Sequence, residues 1–225
     1  MPLYTPVVAC NLALAKVGDE SAQITSIPAT PSEAYSKEAN LCSKFYETTL
    51  REVLEATEWK WARKRATLAL NVDTPAFEWD YSFALPADCA RPLKVSSTTD
   101  TQRQYNYTSE WDIEGRNVVS NQSELWMLYV ANVSNLNDAD ALFIKTLYTA
   151  LAAKLVFPLT ENRNLTKDIM NEYNTEVLPE ARRVNSYSGR ILPTVDSAWL
   201  NATHNNSIYD INGRFDLDDD YGTVL

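Results

Sequence analysis

The sequence predicts an α+β protein: a four-helix bundle with an inserted small antiparallel β domain and an extended C-terminal arm. Three observations carry this. Apolar residues recur at three- and four-residue steps up to about residue 57, at alternate positions across much of 59–133, and at helical steps again from 138. The helical stretches carry recognisable end signals. Beyond residue 188 the helical period stops, although large apolar residues continue. Segments 1–58 and 134–188 are expected to form the bundle, 59–133 the β domain and 189–225 the arm.

The first helix is predicted over 6–17. Thr5 can cap it, Pro6 suits its first turn, and Gly18 stands where a left-handed residue ends a helix. Val8, Leu12, Leu14 and Ala15 supply the expected apolar stripe. A loop follows, with Ile24 and Ile27 as anchors. The second helix is predicted over 32–57 from Thr30-Pro31-Ser32-Glu33, which reads as a capping box with proline in the first turn. Its stripe is Tyr35, Ala39, Cys42, Tyr46, Leu50 and Val53, and a helix of this amphipathic kind needs packing partners.

From Trp59 the period changes. Ala62, Ala66, Leu68 and Leu70 alternate with Arg63, Arg65 and Thr67. Short strands are expected in 81–86, 92–97, 105–108, 117–120 and 125–130, with a turn at Glu114-Gly115-Arg116-Asn117. An antiparallel sheet or sandwich is the expected result.

The third helix is predicted over 138–157, with Phe143, Leu147, Leu151 and Leu155 on one face and Pro158 as its stop. Ala150, Ala152 and Ala153 would allow another helix to approach closely. The fourth is predicted over 164–187, with Leu165, Ile169, Tyr173, Val177 and Ala181 on its stripe. Pro179 lies inside it, so a kink or break is expected near Thr175 to Pro179.

Composition narrows the function. The chain has 225 residues, 45% hydrophobic and 22% charged, as in an ordinary globular protein. Its net charge of −10 argues against a broad surface for coating nucleic acid. Cys10, Cys42 and Cys89 form no CxxC pair, and an odd number of cysteines argues against a disulfide framework. They are expected to be buried small apolar residues in a reducing compartment. The N-terminus has no signal-peptide pattern, and no apolar run approaches the length of a membrane span.

Catalytic chemistry is not expected. The single histidine, His204, has no metal-ligand spacing around it, and the five glycines form no phosphate-cradling loop. Asp216, Asp218, Asp219 and Asp220 lack the glycine and distal glutamate of a calcium loop. No catalytic, metal or cofactor-binding residue is assigned. A hydrolase site assembled from distant carboxylates is a third reading that the sequence leaves open.

Two stretches have a binding composition. In segment 59–65, Trp59 and Trp61 alternate with Lys60, Arg63, Lys64 and Arg65, the ingredients for base stacking and phosphate contact. A nucleic-acid-binding module using this segment is the alternative functional reading. In an otherwise acidic chain, the favoured reading is that Trp59 and Trp61 pack the junction of helix and sheet while the basic side chains solvate an outer face. The arm carries Trp199, Tyr209 and Phe215 as expected partner-docking anchors, because buried aromatics dominate interface energetics.

In order, these motifs resemble the tail tubular protein A, or head-to-tail adaptor, family of short-tailed bacteriophages. The resembling residues are Ala13-Leu-Ala-Lys-Val-Gly18 with Ile24 and Ile27, then Ala39, Cys42, Tyr46, Arg51 and Leu54. Trp59, Ala62, Arg65, Ala66 and Leu68 follow, then Tyr81-Ser-Phe-Ala-Leu-Pro-Ala-Asp-Cys-Ala-Arg-Pro92 with Lys94 and Val95. The alanine-rich helix, Pro158-Leu-Thr, Tyr173 and Ala181 complete the series. The match covers residues 8–188; the arm carries none of it, and Pro179 departs from a straight final helix. The resemblance implies a structural virion protein without enzymatic activity or cofactor, located at the head–tail junction and assembled in the host cytoplasm. It implies a dodecameric ring between the portal protein and the tail nozzle protein, with DNA passing through the lumen unbound and no membrane involved.

Overall fold

Thr5, Pro6 and Gly18 set the limits of the first helix. In the computed structural model, which describes residues 4–18, 23–97 and 110–187, α1 spans Pro6–Val17. The Thr5 side chain accepts the Val8 N–H, and Gly18, at φ 95°, donates its N–H to the Ala15 and Leu14 carbonyls. The buried face is Ala9, Cys10, Ala13, Leu14 and Val17; Val8 and Leu12 are exposed. Of the expected stripe only Leu14 is buried; Val8, Leu12 and Ala15 are exposed, and the buried face lies about one position away. Asn11 pins the next segment, donating to the Ile24 carbonyl and accepting the Ile24 N–H.

α2 spans Lys37–Ala56, so it begins five residues later than the predicted start at 32. Ser36, not Thr30, is the cap: its hydroxyl accepts the Ala39 N–H at 3.2 Å. The expected capping box is a turn instead. Ser32 donates its N–H to Asn40 Oδ1 at 3.0 Å, and Asn40 Nδ2 donates to the Ser32 carbonyl at 2.8 Å. A side-chain amide in the first helical turn thus satisfies the backbone groups that a box would have used. Ala39, Cys42, Tyr46, Leu50 and Val53 are buried as the stripe predicts, while Tyr35 lies before the helix and is exposed.

The described residues between 63 and 131 form two antiparallel sheets, within the expectation of a sheet or sandwich. The strands are β1 (Arg63–Thr67), β2 (Ala69–Leu70), β3 (Tyr81–Ala84), β4 (Cys89–Ser96), β5 (Trp111–Glu114), β6 (Asn117–Ser120) and β7 (Trp126–Ala131). One sheet has the order β1-β7-β4, the other β2-β3-β6-β5. The chain changes sheets at Leu68, whose N–H donates to the Leu125 carbonyl, so the alternation inferred from 62 to 70 fails at its end. Leu68 is buried but Leu70, on a two-residue edge strand, is exposed. Pro92 sits in β4, an edge strand with register shifts on both sides of it, where a missing N–H is tolerated. β5 was not predicted; it pairs with β6 across the turn at Gly115, whose φ of 62° suits the first position of a two-residue hairpin loop. The expected strand at 105–108 lies outside the described residues.

α3 spans Ala141–Thr160 and is the central helix, packing against α1 and α2 and against the helix that follows it. Its predicted face, Phe143, Leu147, Leu151 and Leu155, is buried, and so are Ile144, Ala152, Ala153 and Val156. By length and composition alone it could cross a membrane, but 61% of that stretch is buried inside this fold. Pro158 does not stop it. The proline lies in the last turn, where it removes one ladder bond, and Glu161 closes the helix at φ 55° with its N–H on the Phe157 carbonyl.

The last helix runs as α4 (Arg163–Glu172), a π-helical segment Tyr173–Val177, and α5 (Leu178–Tyr187). The interruption falls where Pro179 led us to expect one. Buried Ile169, Val177, Ala181 and Asn185 keep a four-residue step with half-buried Leu165 and Tyr173. In an α-helix such a stripe drifts about 40° per step, and the extra residue of a π turn takes back about 100° of it.

The chemistry of the apolar residues yields two core clusters. One joins the helices and reaches Trp59, Ala62 and Val130. The other lies between the sheets around Phe83, Val95, Val118, Leu125 and Met127. Val133 packs against both, and residues Met1–Ser188 form one compact unit.

Candidate functional surfaces

The aromatic and basic segment after α2 is built into the junction of helices and sheet. Trp59 is fully buried, its indole N–H donates to the Val53 carbonyl at 2.7 Å, and its ring meets Phe143 edge-on at 4.9 Å. Trp61 meets the same ring at 4.7 Å. Trp59 therefore cannot serve as a base-stacking platform. Trp61 is half-buried, and its Nε1 is buried without a hydrogen-bond partner.

Lys60, Arg63 and Lys64 of this segment have partners of their own. Arg63 pairs with Glu58 at 2.6 Å and Lys64 with Asp88 at 2.7 Å. Lys60 Nζ donates to the Ser186 carbonyl at 2.7 Å, and Arg182 donates to the Ala56 carbonyl at 2.7 Å. Asn185 seals the joint, accepting the Lys60 N–H and donating to the Glu58 carbonyl. α5 is thus fastened across the end of α2. Arg65 is exposed.

Asp88 is a hub that the sequence does not reveal, because its partners come from two other strands. Its carboxylate accepts from Lys64 Nζ and, at 3.0 Å, from the Tyr129 hydroxyl. The Lys64 ammonium, with help from Tyr129, holds the Asp88 carboxyl below its ordinary range. Burial first, and then the bond to Asp88, push the Tyr129 hydroxyl up to about 12. Cys89 next door is pushed up to about 11, chiefly by burial.

Cys10 and Cys42 are both buried free thiols, as expected. The neighbouring Cys42 thiol and burial raise Cys10 far above the ordinary thiol range, so it stays protonated. Tyr46 is raised mainly by burial, and its hydroxyl has no hydrogen-bond partner. No group of three or more metal-ligating side chains occurs among the described residues. The predicted docking residues Trp199, Tyr209 and Phe215, His204 and the aspartates at 216–220 lie outside the described residues.

Compared with known proteins, the chain matches no family model and no curated sequence.

Proposed function

We propose that this protein is a structural head-to-tail adaptor of a short-tailed phage particle, without enzymatic activity. In this reading α1, α2, α3 and the α4–α5 helix act as a four-helix bundle, and the β region is an insertion in it. Copies close into a ring between portal and nozzle, with DNA crossing the lumen. The observation that carries the reading is the order of motifs over residues 8–188. Several of these residues hold structural junctions: Gly18 ends α1, Trp59 joins helices to sheet, and Pro158 lies in the last turn of α3. Residues with such tasks build a scaffold. The net charge of −10 also suits a conduit, since negative charge repels phosphate within a Debye length of about 8 Å.

The arm, residues 189–225, is proposed to dock on a neighbouring protein through Trp199, Tyr209 and Phe215. The nucleic-acid alternative loses its principal stacking residue to the core.

Native mass spectrometry and negative-stain microscopy of the chain mixed with its particle's portal protein test the adaptor reading. Multiple copies added to the portal as a ring are expected. No multimeric addition, or a salt-sensitive gel shift with DNA from the pure chain, would overturn it.

A further inference from the structure

Two of the three cysteines meet in the helical core. Cys10 lies on the inward face of α1 and Cys42 on the inward stripe of α2, both at 0% exposure and both in the cluster that joins the helices. Both are free thiols, and they are neighbours: the two side chains share a hydrogen bond. Cys89 lies elsewhere, in β4 and in the cluster between the sheets.

The surroundings allow the pair to come closer. α1 and α2 are in direct contact. Ala9 and Ala13 flank Cys10 on the buried face of α1, and Ala39 precedes Cys42 by one turn on α2. Thiols in hydrogen-bond contact must close to about 2.05 Å between sulfurs to become a disulfide. Methyl side chains on both faces leave the helices room for that approach, where branched residues would hold them apart. Tyr46, one turn beyond Cys42, is buried and its hydroxyl has no hydrogen-bond partner. It interacts electrostatically with Cys10, so a donor stands beside the pair for the thiolate that exchange requires.

We infer that Cys10 and Cys42 form a redox-responsive bridge between α1 and α2, open as the dithiol in a reducing compartment and closed as the disulfide in an oxidising one. The oxidant is a small disulfide such as oxidised glutathione. The thiolate of one cysteine attacks a sulfur of that disulfide, forming a mixed disulfide and expelling one glutathione thiolate, which takes up a proton. The second protein thiol gives its proton to solvent, attacks the protein sulfur of the mixed disulfide and expels the second glutathione. The two protein thiols lose two electrons, and one oxidised glutathione becomes two reduced ones.

Burial sets the rate. Both cysteines are fully buried, so exchange proceeds through local opening of α1, a helix of 12 residues. Once formed, the bridge closes the loop from 10 to 42 and restricts the unfolded chain more than the folded one, which stabilises the fold. Under the adaptor reading the bridge is a lock set when the particle leaves the cytoplasm; that purpose rests on the reading, and the bridge itself does not.

The wild-type chain is incubated with oxidised glutathione, in buffer and in urea below its unfolding midpoint, then alkylated, digested and mapped by mass spectrometry. The expected product is a single cross-link from Cys10 to Cys42, reversed by a dithiol reductant, with Cys89 alkylated. The bridged chain is expected to melt about 5–10 °C above the reduced chain, a shift absent from Cys10→Ala and Cys42→Ala treated alike. Both thiols still free under both conditions overturn the proposal, as does a bridge to Cys89 in comparable yield. A Cys10–Cys42 cross-link that leaves the melting temperature unchanged or lowers it refutes the locking role. The peptide map needs the wild type alone, so it stays decisive if a variant fails to fold. Neither portal nor nozzle is used, so a negative result leaves the adaptor reading standing.

Discussion

At the scale of single residues, the decisive environments are those that burial and a specific partner create together. Trp59 fills the joint between two layers and uses its one donor on Val53. Trp59→Ala is expected to cost about 3–5 kcal/mol, read as a fall in the urea midpoint; a loss below about 1 kcal/mol would refute that role. Tyr129 makes a pH prediction. A folded-state pKa raised to about 12 means the fold favours the neutral hydroxyl. This contribution is complete below the ordinary tyrosine value of about 10 and is lost as pH rises towards the folded value. Asp88 acts in the opposite range. Its lowered pKa contributes stability above the ordinary carboxylate value, which disappears as pH falls through the folded value. Because burial is the larger cause at Tyr129, Asp88→Asn is expected to bring its titration only part of the way back. A spectrophotometric tyrosinate titration checks this, and full return to the ordinary value would contradict it. Trp59 was legible as a junction residue from its place between two periods. Asp88 was not, since nothing local announces a carboxylate whose donors are 24 and 41 positions away.

At the scale of elements, caps decide where helices begin and end. Ser36→Ala is expected to destabilise by about 1 kcal/mol, while Thr30→Ala changes stability by less than about 0.5 kcal/mol. The reverse order in thermal melts would restore the capping box at 30–33. Gly18→Ala is expected to cost about 1 kcal/mol through backbone strain alone, since φ is 95° and no atom lies within 4 Å of an added Cβ. The elements' existence could be read from periodicity, and the limits of α1 from its caps. The phase of the α1 stripe could not. Alanine and cysteine turned inward while Val8 and Leu12 turned out, because a close approach to α3 needs small side chains on that face. Pro158 misled because its penalty depends on position: inside a helix it is large, in the last turn it removes one bond.

At the scale of the whole molecule, helices and sheets share a boundary at Trp59, Ala62, Val130 and Val133. Residues 4–187 are therefore expected to unfold in one cooperative transition, with the near-ultraviolet dichroism of the junction tryptophans and the far-ultraviolet signal superimposing. Two separated transitions would show that the β region is an independent unit. The adaptor reading belongs to this scale too, since a scaffold acts through the surfaces it places.

What the sequence determined by itself was the kind of protein: mixed α and β, with helices flanking a strand region, because hydrophobic period and caps are local properties. An interruption of the last helix was also foreshadowed by Pro179, although its π form was not. Only the tertiary structure decided that the strands form two sheets, because the change at Leu68 depends on a bond to Leu125. It alone assigned the partners of the basic side chains after Trp59: the Ser186 carbonyl for Lys60, Glu58 for Arg63 and Asp88 for Lys64. Burial and pairing are properties of what a residue packs against, and no stretch of chain carries that information alone.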